Sequence, residues 1–252
     1  MNLRKAAVVC MTALLLPAGE GLMALTAREI IDRAENAVRG NSAMGTYAIT
    51  IKTRRWTRTM ELKSWDHRST KRSFSEITAP KKDAGNRFLL VNKTMHQYVP
   101  KLQQEIKISP SMMMQSWMGS DFTNDDIVKE SSILDDYTQR LIGNKSIDGT
   151  ECYEVELIPK KDADVVWGKI IYYARITDCL PVRQEFYNEH NVMKKVMALS
   201  GFKTMHDRVI PTIMKMQTVG KDDRYTVMEI KEIRFNVAIP DYIFSLQNLK
   251  RK

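Results

Sequence analysis

With only three cysteines, at positions 10, 152 and 179, the chain has too few to set a disulfide framework. Its stability must therefore come from an apolar core. The four histidines, His67, His96, His190 and His206, lie far apart, and none stands at metal-ligand spacing with a cysteine or a second histidine. The sequence also lacks the nucleophile turn G-x-S-x-G, the phosphate loop G-x-x-x-x-G-K and the dinucleotide turn G-x-G-x-x-G. These absences leave no catalytic residue, cofactor or metal ligand to nominate. An enzyme would need a nucleophile and a base that no local pattern supplies.

Long apolar runs are missing too. The longest, Ala6 to Leu16, is about half of the ~20 residues that a membrane-spanning helix needs. It follows Arg4 and Lys5 and leads through Pro17 and Glu20 to the small-residue segment Gly21-Leu22-Met23-Ala24, which is the order of a secretory signal peptide. Cleavage is expected after Ala24, with Ala27 as the alternative. Lipidation at Cys10 is disfavoured because that cysteine sits inside the apolar region and not after it. The expected product is an exported protein of the periplasm, residues 25–252, read as one domain. Residues 1–24 carry a net +1, so the net charge falls from +9 to +8 on their removal. Export and the scatter of the basic residues exclude most nucleic-acid roles, and leave attraction to anionic lipid surfaces or a plain solvated exterior. Cys152 and Cys179 would remain, either paired in the oxidising compartment or buried as free thiols.

What the chain has in quantity is alternation. Ile30, Ile31, Ala34 and Val38 recur at helical spacing, with Gly40 placed to end the helix. From Met44 the period becomes two, with Tyr47, Ile49 and Ile51 on one face. Further short strands are predicted over 59–65, 72–77, 87–91, 96–99 and 105–108, and again over 136–141, 152–158, 165–175, 182–187, 194–199, 209–219 and 225–235. Turns are expected at Asp148-Gly149, Glu189-His190-Asn191 and Gly220 to Asp223. Spacing of roughly 8 to 12 residues suits an antiparallel meander that closes or partly closes on itself.

Two helices are expected to interrupt it: Pro110 to Met118, with Ser109 as cap, and a second begun by Thr123, which with Asp126 makes a capping-box-like pair. Asp121, Asp125 and Asp126 could bind a cation, but fewer oxygen ligands stand at alternating positions than a calcium loop requires. Helix capping accounts for them more simply.

Methionine is abundant, with 16 in the chain, and Met112, Met113, Met114 and Met118 crowd around Trp117. Flexible thioethers suit apolar ligands of varied shape as readily as they fill a core. Residues 166–173 carry apolar or aromatic side chains on both faces, Val166, Ile170 and Tyr172 alternating with Trp167, Ile171 and Tyr173. One face can therefore line an interior. The candidate cavity residues are Met112, Met113, Met114, Trp117, Met118 and Phe122 in the cover, and Tyr47, Ile49, Ile171 and Tyr173 in the wall.

The run Ile108-Ser109-Pro110-Ser111-Met112, followed by Gln115-Ser116-Trp117-Met118-Gly119-Ser120-Asp121-Phe122-Thr123-Asn124-Asp125-Asp126, resembles the signature of the LolA-like outer-membrane lipoprotein-sorting family. The similarity extends to Lys63-Ser64-Trp65, Ile77-Thr78-Ala79-Pro80, Cys152-Tyr153 and the terminal Ile239 to Leu246. The resemblance implies a mainly β, α+β fold: a half-open, strongly curved antiparallel β-barrel with helices covering its concave face. It also implies a monomeric periplasmic carrier of lipoprotein or lipid acyl chains, served by an inner-membrane transporter of the ABC or RND type. Another branch with this fold acts as a sensor or adaptor. No motif here matches the latch arginine of the lipoprotein carrier.

Overall fold

The computed structural model describes residues 25–251 except 93, 110, 111, 114, 125, 127–132, 162 and 164. The expected signal peptide, Cys10, Met114 and Asp125 lie outside the described residues.

Helix α1 (Ala27–Val38) opens on a reciprocal capping box. The Thr26 backbone N–H donates to Glu29 Oε2 at 2.8 Å and the Glu29 N–H donates to Thr26 Oγ1 at 3.2 Å, so two end donors are satisfied locally. Ile30, Ile31 and Ala34 form one fully buried stripe, each large side chain contributing about 1.5–3 kcal/mol by leaving water. The helix ends at Arg39 in extended conformation. Gly40 follows because space is short: a Cβ there would lie 2.8 Å from Asn236 Oδ1 and 2.9 Å from the Ser42 carbonyl oxygen.

Thirteen strands follow: β1 (Ser42–Lys52), β2 (Thr57–His67), β3 (Arg72–Ala79), β4 (Arg87–Val91), β5 (Thr94–Val99), β6 (Gln104–Ile108), β7 (Tyr137–Ile147), β8 (Thr150–Pro159), β9 (Lys169–Arg175), β10 (Pro181–Tyr187), β11 (Met193–Met205), β12 (Arg208–Thr218) and β13 (Tyr225–Phe235). They form a single antiparallel sheet in the order β6-β5-β4-β3-β2-β1-β13-β12-β11-β10-β9-β8-β7. The sheet curves into a half-open barrel, and α1 packs on its concave side. Tight turns permit this meander; at Asp148-Gly149 both residues have positive φ, 48° and 80°, as a two-residue hairpin demands.

Every neighbouring pair is consecutive in sequence except β1 and β13, which join the two halves. β6 and β7 are consecutive in the chain yet form the two free edges. The connection between them, residues 109–136, must therefore pass from one edge to the other, and among its described residues Trp117, Phe122 and Ile133 pack on the concave face. This crossing segment is where the expected helix over 110–118 gives way. Its described part contains turns at Met112 and Gln115, then an isolated antiparallel bridge between Ser116 and Thr123. The Trp117 N–H donates to the Phe122 carbonyl at 2.8 Å, and Met118 takes a left-handed φ of 51° inside a 3-10 turn, Trp117–Gly119. Loop closure by that bridge overrides the helical preference of the methionines. The Thr123–Asp126 pair does form both bonds of a capping box, at 2.7 and 3.0 Å.

Strand β9 is buried on both faces. Ile170, Tyr172 and Ala174 meet α1, whereas Ile171 and Tyr173 join Cys152 and Val182 on the other face. Cationic stems shield that outer layer: Arg175 stacks on Phe202 at 4.2 Å and Lys169 on Tyr187 at 4.5 Å. The tail Ile239 to Leu249 covers another outer patch, where Phe244 and Leu249 pack on Phe74 and Leu89. Cys152 and Cys179 are buried free thiols in different clusters.

Candidate functional site

Between the concave sheet face, α1 and the crossing segment lies a cavity of about 330 Å³, within the size range of small-molecule sites. Period-two alternation aims one set of side chains from nearly every central strand into it. Tyr47 and Ile49 come from β1, Ile170 and Tyr172 from β9, Phe186 from β10, and Ile230 from β13. Trp117 and Phe122 of the crossing segment and Trp167 before β9 complete the apolar lining.

Among the described residues, methionines of the strands supply much of the remaining wall. Met197, Met214, Met216 and Met228 all line the cavity. Met197 stands opposite Met216 across β11–β12, and Met214 stands opposite Met228 across β12–β13. Two cross-strand pairs of unbranched thioethers make a deformable wall. The signal is present in the sequence as Met197, Met214, Met216 and Met228 at alternating positions of three strand patterns, less conspicuous than the cluster at 112–118.

Of the ten predicted cavity residues, Tyr47, Ile49, Trp117 and Phe122 line the cavity. Met112, Met113 and Met118 lie behind it, packed with Trp117 against the cluster of Met60, Ile77 and Phe88. Met114 is outside the described residues. Ile171 and Tyr173 require correction. They face the outer layer, and their neighbours Ile170 and Tyr172 take the cavity positions. Both faces of β9 are apolar, so alternation alone could not say which one points inward.

The two ends of the cavity differ in chemistry. At one end Arg39, Asp66, Arg68 and Lys71 are among the polar side chains of the lining, and Asp66 pairs with Arg39 at 3.5 Å. By strand register, Asp66 lies beside Ala43 and Phe235 at one end of β1 and β13, whereas Thr226 lies beside Ile51 at the far end. At that far end the crossing segment is tied down. Asp121, whose side chain is almost wholly buried, accepts from Arg224 Nε at 3.0 Å, Thr226 Oγ1 at 2.8 Å and Thr218 Oγ1 at 3.1 Å. Lys195 Nζ donates to the Asp121 carbonyl at 2.5 Å and pairs with Asp126 at 3.1 Å, beneath the Trp167 ring. Asp126 also accepts from Trp167 Nε1 at 3.2 Å. Asp121 and Asp126 thus do more than cap a helix: they fasten the cover to strands β11–β13. Sequence reasoning missed Lys195, Thr218, Arg224 and Thr226. The available signal was the parity of Lys195 with the inward-facing Met197 and Leu199, since an inward lysine demands a buried partner.

Two polar atoms in the lining are left over. Trp117 Nε1 and Tyr172 Oη are both buried and have no hydrogen-bond partner among the described residues. Burial, reinforced by the Glu35 carboxylate, pushes the Tyr172 phenol well above its ordinary pKa and keeps it protonated.

Residues 69–251 match a protein-family model described as "Uncharacterized protein". The chain belongs to that family. No curated protein matches the sequence. Among solved structures, a DUF1329 family protein from Desulfovibrio piger is similar with a TM-score of 0.79 at 21% identity, covering 88% of this chain and 97% of the other. A LolA superfamily protein from Nitrosomonas europaea gives 0.76 at 22% identity, covering 89% and 100%. A Vibrio parahaemolyticus domain named for outer membrane lipoprotein sorting gives 0.77 at 19%, covering 89% and 98%. These likenesses establish the LolA-like fold over most of the chain.

Proposed function

We propose that this protein is a periplasmic carrier that takes acyl chains of lipoproteins or lipids into its cavity and passes them toward the outer membrane. The observation that carries this reading is the largely apolar cavity under a cover pinned at one end by Asp121 and Asp126. Burying an acyl chain there gains about 0.8 kcal/mol per methylene, and the methionine wall accommodates chains of different shape. Binding, not catalysis, is what such a lining supplies. The names of the similar proteins from Nitrosomonas europaea and Vibrio parahaemolyticus support the same reading. The signal-peptide order of residues 1–24 supports export, and an inner-membrane transporter of the ABC or RND type is the donor this reading requires.

Native mass spectrometry of protein purified from the periplasm, followed by lipid extraction, tests it. One acyl-bearing molecule per chain is the expected result, and its identity names the cargo class. A protein that arrives empty and also refuses added lipid would reject the carrier and favour a sensor or adaptor built on the same fold.

A further inference from the structure

At the end of the sheet marked by Ile51 and Thr226, three hairpin connections stand side by side: 53–56 between β1 and β2, 80–86 between β3 and β4, and 100–103 between β5 and β6. Contacts link them. Arg58, at the foot of the first, pairs with Asp83 of the second at 3.1 Å, and a Cβ on Gly85 of the second would lie 3.3 Å from Pro100 of the third. Arg54, Arg55, Lys81, Lys82 and Lys101 are all exposed, and none has an ion-pair partner among the described residues. Asp83, the one carboxylate in these connections, is already taken up by Arg58. Beside the cations stand two apolar side chains, Trp56 at 46% exposed and Leu102 at 59%. Their turns hold them out. The Thr53 N–H and hydroxyl donate to the Trp56 carbonyl at 2.9 and 3.0 Å, the Trp56 N–H donates to Thr53 Oγ1 at 3.1 Å, and the Leu102 N–H donates to the Val99 carbonyl at 3.1 Å. Large apolar groups left in water forgo the gain of burial. A tryptophan flanked by cations fits the zone where head groups meet acyl chains, since the ring enters the apolar side while the charges face phosphates. A fluid surface admits two separate tips independently, whereas a folded partner would need two matched pockets.

We propose that this rim is a membrane-docking surface, whose five free cations bind anionic phospholipid head groups while Trp56 and Leu102 enter the bilayer interface. The occupant is an anionic bilayer. The contact is separate from whatever the cavity holds, so a protein that proved empty of acyl cargo would still dock.

Co-sedimentation with vesicles provides the test, using phosphatidylglycerol and phosphatidylcholine in equal parts against phosphatidylcholine alone. The protein is expected to bind the mixed vesicles and to be released by salt, which screens exposed charges. Each cation at an anionic surface is worth about 5-fold in partitioning, so replacing Arg54 and Arg55 together by Gln should weaken binding about 25-fold, and Lys81 and Lys82 likewise. Lys203 and Arg234 are exposed near the opposite end of the sheet, in β11 and β13. Their double replacement by Gln removes the same charge and should leave binding within about 2-fold of wild type, because the Debye length of about 10 Å confines the attraction to nearby groups. Vesicles with brominated acyl chains should quench tryptophan emission more in the wild-type protein than in Trp56→Phe. Failure to bind the mixed vesicles, equal binding to phosphatidylcholine alone, equal loss in the Lys203 and Arg234 control, or equal quenching in Trp56→Phe would each overturn the docking rim. Retention on heparin without vesicle binding would overturn it too, and point to a soluble acidic partner.

Discussion

Arg224 Nε donates to Asp121 Oδ1 at 3.0 Å across 103 positions of sequence, joining the middle of the crossing segment to the start of β13. The two ends of this contact are unequal. The Asp121 side chain is 1% exposed and receives three donors, whereas that of Arg224 is 31% exposed and can return to water. Asp121→Ala is therefore expected to cost about 3 kcal/mol, because it strands buried hydroxyls as well as the guanidinium. Arg224→Ala should cost about 1 kcal/mol, reduced by solvent screening. Urea midpoints measure both, and limited proteolysis between residues 109 and 136 should quicken in the same order. Equal effects, or none, would show that the cover is held elsewhere.

A methionine wall that yields to its cargo should stop yielding when filled. Met214→Trp places a rigid ring where Met214 faces Met228. Uptake of diphenylhexatriene, a hydrocarbon fluorophore, should fall at least tenfold, with a loss of stability of about 1–3 kcal/mol if the ring overpacks the site. Full uptake by a folded variant would remove the Met214–Met228 pair from the cavity wall.

Gly40 turns the chain from α1 into β1 in a gap too small for a side chain. Gly40→Ala brings a Cβ to 2.9 Å from a backbone oxygen that belongs to the paired edge of β1, and 2.8 Å from the Asn236 amide oxygen. A destabilisation of about 1–3 kcal/mol is expected, read from the thermal midpoint. A neutral substitution would mean that α1 can shift relative to the sheet.

The N-terminal cap gives α1 an acid-dependent contribution. Backbone and side-chain hydrogen bonds from Thr26 hold the Glu29 carboxyl below its ordinary value of 4.5. A depressed folded pKa stabilises above the unfolded value and loses that contribution as pH falls through the folded value. Amide exchange in the first turn of α1 should therefore quicken below pH 4.5, and Glu29→Gln should abolish that dependence. First-turn exchange with the same pH profile in the variant would assign the change to other carboxylates.

Much of the sheet was legible because each strand carries its own alternation and its own turn. β4 is found over the same residues as predicted, 87–91, since Gly85-Asn86 and Asn92 bound a short apolar run. β9 begins at Lys169 and not at Val165; just before it, at Gly168, the Asn188 backbone approaches so closely that a Cβ would lie 2.6 Å from its carbonyl oxygen. The cover was only half legible. Trp117 and Phe122 announce themselves as large apolar residues, but the path between them depends on the Ser116–Thr123 bridge, which no local propensity encodes.

The sequence by itself determined the order of the strands, their apolar content and the position and capping of α1, because these depend on neighbours within about ten residues. Tertiary structure alone decided which face of β9 looks inward, which methionines form the wall, and why a lysine at 195 can be buried. Each of those depends on contacts between residues far apart in the chain: the β1–β13 junction that curves the two half-sheets together, and the passage of residues 109–136 from edge to edge that brings Asp121 and Asp126 over Lys195 and Arg224.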